Sequence, residues 1–240
     1  MTTMETTKIL MLLTAHRYME DTQHETGVWL GEFTDPYYVF LDAGCEVTLV
    51  TIQGGEPPID PMSKLTEHVT ASNRRFLEDD AAQFHFQNTL ALQNIIADPF
   101  DGLFIPGGHG PLWDLARSIE SGRLILEFHK QRKPIAALCH GPAAFLMSAK
   151  LDPSFLMGRK VTSFTNAEEA LVARKNNIPY ELETALKAKG VEFSSATLPF
   201  AAHVEIDGDV ITGQNPLSAN GTATALLKRI VQKAAASTNF

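Results

Sequence analysis

The feature that most constrains this chain is a repeated alternation. Short apolar or β-branched runs recur, and each is followed by a stretch with helical spacing. Residues 8–14 form the first such run, around Ile9-Leu10-Met11-Leu12-Leu13, and residues 46–52, 101–105 and 134–138 follow it. Near-continuous apolar strands have no solvent-facing side, so both faces need cover. Strands alternating with helices therefore predict an α/β fold with a mostly parallel sheet between helical layers. A helix is expected over residues 34–43, with Thr34 as its cap, Pro36 in its first turn and Gly44 as its stop. Further helices are expected over residues 119–130, 141–149, 166–174, 180–189 (closed by Gly190) and 223–235. Residues 160–164 read as another short strand. Asp207-Gly208, between residues 203–206 and 210–212, is a hairpin signal.

Residues 1–240 read as one domain, without an internal repeat or low-complexity linker. Residues 54–99 break the alternation and are too long for a plain connection. They read as an insertion capping one end of the sheet, with Phe84, Phe86, Leu90 and Leu92 buried under it. Twenty basic residues against 28 acidic ones give a net charge of −8, which argues against a nucleic-acid partner. No stretch approaches the roughly 18–20 apolar residues needed to cross a bilayer. The first apolar run is too short for a signal peptide, and no small-residue cleavage site follows it, so a cytoplasmic protein is expected. Two cysteines, Cys45 and Cys139, cannot form a disulfide framework and suggest a reducing compartment.

The two cysteines differ in context. Cys45 opens a strand with no base beside it and reads as a packing residue. Cys139 stands where Ala136-Ala137-Leu138 ends and Gly141-Pro142 starts a helix of small residues. That is the strand–turn–helix setting of a nucleophile elbow, where helix amides point at the side chain. His140 follows at once. Three other strand ends share that sheet edge, where open α/β sheets bind their ligands. Pro106-Gly107-Gly108-His109-Gly110 offers backbone N–H groups for an oxyanion. Glu32 follows the first strand, and Glu168-Glu169 follow Phe164-Thr165-Asn166.

With these motifs in place, the chain resembles the ThiJ/PfpI superfamily, and within it the heat-shock-type branch of glutathione-independent glyoxalases (glyoxalase III). The resemblance rests on Thr26-Gly27-Val28 leading to Glu32, Gly108-His109-Gly110, Ala137-Leu138-Cys139-His140-Gly141-Pro142, Phe164-Thr165-Asn166 leading to Glu169, and Ile211-Thr212-Gly213-Gln214-Asn215-Pro216. It implies a flavodoxin-like three-layer sandwich and a homodimer. It also implies Cys139 as nucleophile, His140 beside it, Glu32 touching the thiol, and Glu169 orienting the histidine, with Glu168 competing for that last role. The implied reaction turns methylglyoxal or glyoxal into a 2-hydroxy acid through a cysteine hemithioacetal. Gly108, His109 and Gly110 would serve the oxyanion or substrate. No cofactor is implied, because Cys139 takes the place of glutathione's thiol, and the partner is a small aldehyde. The metal site of some members has no clear counterpart, since Glu67, His68 and His85 set no ligand spacing.

Three rival readings accompany this one. His203-Val204-Glu205 is similar to the histidine arm of amidotransferases, which would suit a cysteine hydrolase; alternatively it is a solvated hairpin face. Deglycation of modified amines or thiols would use the same nucleophile. A holdase chaperone would need exposed apolar patches. Trp29 and Trp113 flank the site loops and read as packing residues or as pocket walls.

Overall fold

The computed structural model describes residues 6–20 and 24–237. In chain order the main elements are β1 (Lys8–Leu12), α1 (Leu30–Asp42), β2 (Glu46–Thr51), α2 (Ala71–Glu78), α3 (Asp80–Gln87), β3 (Leu90–Ala91), β4 (Gly102–Ile105), α4 (Ile119–Lys130), β5 (Ile135–Leu138), α5 (Ala144–Leu151), β6 (Lys160–Val161), α6 (Asn166–Leu171), α7 (Leu182–Lys187), β7 (Glu192–Phe193), β8 (Val204–Asp207), β9 (Val210–Gly213) and α8 (Ala219–Ser237). Seven strands form one sheet in the order β3-β2-β1-β4-β5-β9-β8. Every pairing in it is parallel except the β8–β9 hairpin. This is the expected α/β sandwich, with the strand order reversing beside β1.

The alternation of side chains along each strand divides the core in two. Ile9, Met11, Phe104, Ala136 and Leu138 face α1 and α8 and pack with Phe33, Phe40, Ala223 and Leu226. Leu10, Leu12, Leu103, Ile105, Ile135 and Ala137 face the other way, toward Leu124, Phe128 and Phe145 of α4 and α5. Both faces are dry, which accounts for the near-continuous apolar runs.

Several elements differ from expectation. Helix α1 starts at Leu30, not Thr34, and Pro36 lies inside it. Thr34 donates to Asn73 Oδ1 at 2.6 Å, and Thr70 donates to Asp35 at 2.9 Å. The residues that look like a cap are tertiary contacts between α1 and the α2 region. This earlier start brings Glu32 into the first helical turn. Residues 160–164 supply only the two-residue β6, which pairs with the unanticipated β7 in a separate sheet. Within the stretch 54–99, β3 extends the central sheet beside β2. Phe86 and Leu92 are buried there, but Phe84 and Leu90 are exposed. Phe86 points into the cluster of Phe33 and Phe76, while Phe84, two residues earlier on a short helix, faces away.

Phe104 on β4 is fully buried and meets Phe40 of α1 edge-on, at 5.5 Å between centroids. Phe104→Ala should lower unfolding free energy by about 3–5 kcal/mol through lost contact and a residual cavity. Urea denaturation should show a lower midpoint with an unchanged slope. A midpoint equal to that of the wild type would mean that the sandwich does not depend on this contact.

Candidate active site

Strand β5 delivers Cys139 to the carboxyl edge of the sheet. Its backbone turns there with φ of 57°, in the left-handed region that side-chain-bearing residues seldom adopt. Two hydrogen bonds hold it: Cys139 N–H donates to Gly213 O at 2.9 Å, and Phe164 N–H donates to Cys139 O at 2.9 Å. A short 3-10 turn, Gly141–Ala143, leads directly into α5. The elbow is therefore present, and Cys139 is only 4% exposed.

A chain of side chains runs from the thiol. Cys139 Sγ lies 3.3 Å from His140 Nδ1. His140 Nε2 lies 2.8 Å from Glu169 Oε2, and Glu169 Oε1 lies 2.9 Å from His109 Nε2. The two imidazoles pack at 4.1 Å between centroids. An ionised carboxylate only accepts, so each Nε2 carries the hydrogen. Burial pushes the Glu169 carboxyl up, but the hydrogen bonds from His109 and His140 outweigh it and hold it below the usual carboxylate range. Burial, aided by the neighbouring His109, lowers His140 to about 4. His140 is thus neutral at neutral pH, and its Nδ1 lone pair faces the thiol.

On the other side of the sulfur stands Glu32. Its Oε2 accepts the Gly107 N–H at 2.9 Å, while Oε1 is buried without a partner. Burial raises this carboxyl to about 8, against smaller opposing contributions from the Cys139 thiol and the Gly107 amide. The thiol is itself pushed well up, first by burial and then by Glu32, with the Gly108 amide opposing. Gly107 has no room for a side chain: a Cβ would stand 2.6 Å from Glu32 Oε2, 2.7 Å from the His140 amide and 2.8 Å from Cys139 Cβ. Gly108 has φ of 88°, and a Cβ there would meet Gly27 O at 2.1 Å. The two glycines let the loop after β4 close over the thiol.

The structure brings Cys139, His140, Glu32, Glu169, Gly108 and His109 together. His109 arrives through its side chain, not only through its backbone. Gly110 packs against Thr14, two residues past the end of β1. Glu168 points elsewhere. Its Oε2 accepts from Thr165 N and Oγ1, and its Oε1 accepts from Phe200 N, Gln214 Nε2 and Asn215 Nδ2. It ties α6 to the loop after β9.

Two residues escaped sequence reasoning. Arg174 Nη1 donates to Asp60 Oδ2 at 2.7 Å and lies 3.4 Å from His109 Nδ1. Asp60 is fully buried and also accepts from Thr26 Oγ1. No local spacing signals a pair 114 residues apart. Among the described residues, His109, His140 and Glu169 form the one group with facing atoms close enough, within 4.8 Å, to hold a metal ion. Those atoms already satisfy one another, so an ion would have to displace two N–H donors.

The remaining singled-out residues have other neighbours. His203 and Glu205 both meet Ser194 Oγ, at 2.8 and 2.7 Å. His68 meets the Trp29 ring and His85 the Tyr37 hydroxyl. Trp113 is buried against His16. Cys45 is a buried residue just before β2.

Residues 23–229 match the model of the DJ-1/PfpI family, and the chain belongs to that family. It is 29% identical over 214 residues to the glutathione-independent glyoxalase hsp3101 of Schizosaccharomyces pombe, a match covering 85% of this chain and 87% of that one. The X-ray structure of the rapid encystment protein of Francisella tularensis superposes with a TM-score of 0.88 at 33% identity, covering 93% of this chain and 99% of that chain. Glyoxalase III from Candida albicans has a TM-score of 0.82 at 24% identity, covering 93% of this chain and 97% of that chain, a likeness of fold.

The state of Glu32 has a sign that stability measurements can read. The unfolded chain releases this proton near 4.5, the native protein only near 8. Native stability therefore falls as pH rises through that window, with a limiting slope of about 1.4 kcal/mol per pH unit. Glu32→Gln holds no such proton. The variant should match the wild type below pH 4.5 and gain on it progressively toward pH 8. Urea unfolding across this range checks it; a constant difference at every pH would contradict a neutral Glu32.

Proposed function

We propose that this protein is a glutathione-independent glyoxalase that converts methylglyoxal to lactate, or glyoxal to glycolate, and so limits reactive carbonyl stress. The observation that carries the reading is a buried thiol between a neutral imidazole and a carboxyl that titrates near 8. The relatives' names agree with it.

The steps follow from the geometry. His140 Nδ1 takes the thiol proton as sulfur adds to the aldehyde carbon, and a hemithioacetal forms. Glu169 steadies the resulting imidazolium through Nε2. The Gly108 amide, which opposes the upward shift of the Cys139 thiol, would donate to the nascent oxygen. The ionised form of Glu32 then removes the hydrogen from the former aldehyde carbon while His140 passes the thiol proton to the ketone oxygen, giving an enediolate and a neutral imidazole. The same carboxyl returns a proton to the adjacent carbon, which leaves a thioester on Cys139. Water, activated by His140, cleaves the thioester, releasing the 2-hydroxy acid and restoring the thiol. Methylglyoxal plus one water balances lactic acid, and no external redox partner is consumed. A carboxyl near 8 suits the two-way transfer, because it gives and takes a proton close to working pH.

Burial favours a small free aldehyde over an adduct on a protein surface, since Cys139, His140 and Glu32 are 4%, 1% and 0% exposed. The histidine arm of the hydrolase reading supports it poorly, because His203 and Glu205 are engaged with Ser194. The family resemblance also supports a cytoplasmic homodimer, which light scattering would read as twice the chain mass.

Lactate formation from methylglyoxal in glutathione-free buffer tests the proposal. Cys139→Ala and Glu32→Gln should each lose activity by about 100-fold or more while keeping native circular dichroism. Turnover by Cys139→Ala at the wild-type rate would remove the covalent mechanism. Turnover of a glycated peptide but not of free methylglyoxal would assign the thiol to deglycation instead.

A further inference from the structure

Arginine has no hydrogen-bond acceptor, so its contact with a histidine nitrogen constrains that nitrogen's protonation. Arg174 Nη1 carries two hydrogens. One goes to Asp60 Oδ2 at 2.7 Å, and the other faces His109 Nδ1 at 3.4 Å. His109 Nδ1 is then bare, and its single hydrogen sits on Nε2, directed at Glu169 Oε1. With Oε1 occupied, Glu169 keeps Oε2 for the Nε2–H of His140, which leaves His140 Nδ1 bare and facing the thiol. Glu169 accepts from both Nε2–H groups, and Arg174, a cation without an acceptor, can only donate to His109 Nδ1, so the two ends of the chain demand the same His109 tautomer.

Asp60 makes that cation stay. It is fully buried in the stretch between β2 and α2, and its Oδ1 and Oδ2 also accept from Met62 N and Thr26 Oγ1. Arg174 lies after α6 and is largely covered, its side chain 17% exposed. The pair therefore fastens two loops that approach the site from different parts of the chain.

We propose that the Asp60–Arg174 pair is a positioning element that fixes the tautomer of His109 and, through Glu169, the tautomer of His140 that can take the proton of Cys139. This deepens the glyoxalase reading and rests on it only where turnover is the readout. Neither residue is a catalytic residue: they act through His109 and Glu169. The titratable and charged groups around the two histidines are Glu169 and Arg174 on and after α6, Asp60 behind Arg174, and Cys139 and Glu32 on the far side, with Glu168 nearby.

The test uses the full chain with ¹⁵N-labelled histidine. Long-range proton–nitrogen spectra at neutral pH report which ring nitrogen bears the hydrogen. In the wild type, His109 and His140 should both be protonated at Nε2 alone. In Arg174→Met, and independently in Asp60→Asn, His109 should lose this single form and show averaged or reversed nitrogen shifts. The rate of Cys139 alkylation by iodoacetamide at neutral pH should fall with it, and kcat on methylglyoxal should drop by about 10- to 100-fold with KM little changed. Arg174→Lys, which restores charge and a donor, should recover part of both. Unchanged histidine spectra and alkylation in both folded variants would overturn the proposal, as would a rise in KM alone, which would make Arg174 a substrate contact. Should the wild type turn over no methylglyoxal, the spectra and alkylation rates still decide this inference, and only the glyoxalase reading falls.

Discussion

The backbone of Cys139 is the constraint on which the site depends. Holding a residue with a side chain at a φ of 57° costs about 1–3 kcal/mol. Two backbone hydrogen bonds, from Cys139 N–H to Gly213 O and from Phe164 N–H to Cys139 O, are of the right size to offset it, at about 1 kcal/mol each. These bonds also recruit the rest of the site. Gly213 ends β9, and the loop after it supplies Gln214 and Asn215, which hold Glu168. Phe164 precedes the cap of α6, which carries Glu169. Fixing one strained residue therefore fixes the positions of both its neighbours' partners.

Three glutamates sit in or beside this site, all within 3% exposure, and their surroundings differ in donor count. Glu168 meets five donors and Glu169 two imidazole N–H groups. Glu32 meets one amide, and its second oxygen meets none. Desolvation disfavours charge on any buried carboxyl, and donors restore it. At Glu169 the donors win and the charge is kept. At Glu32 burial wins and the proton is kept to about 8. One residue type thus serves as a fixed anion or as a proton carrier, according to how many N–H groups surround it.

Much of the architecture was legible because both faces of the sheet are covered. Dry strands such as Ile9-Leu10-Met11-Leu12 leave a continuous apolar record, and Cys139-His140 follows one of them directly. Misreadings arose where polar residues serve distant partners. Thr34 and Asp35 look like a helix start yet bind Asn73 and Thr70. Strand β7 is two residues long, too short for periodicity to reveal. Glu168 and Glu169 are adjacent in sequence, and only the turn of α6 separates their directions. Asp60 and Arg174 carry no local signature, since each is ordinary until the fold sets them 2.7 Å apart.

The resting site is poised with its reactive groups neutral. Burial raises both the Cys139 thiol and the Glu32 carboxyl, and lowers His140. A thiol kept protonated in this way is a poor target for passing electrophiles, because the thiolate is the attacking species. In the proposed reaction, charge would form only as the carbonyl carbon accepts the sulfur, when the new oxyanion would meet an amide and the imidazolium would meet Glu169. Pre-set hydrogen-bond directions matter most in this arrangement. With no standing thiolate, the proposed attack would depend on His140 presenting its bare nitrogen to the sulfur, and a histidine free to exchange tautomers would present a hydrogen there part of the time. In the proposed arrangement Arg174, an acceptor-free cation separated from His140 by His109 and Glu169, works with Glu169 against that alternative.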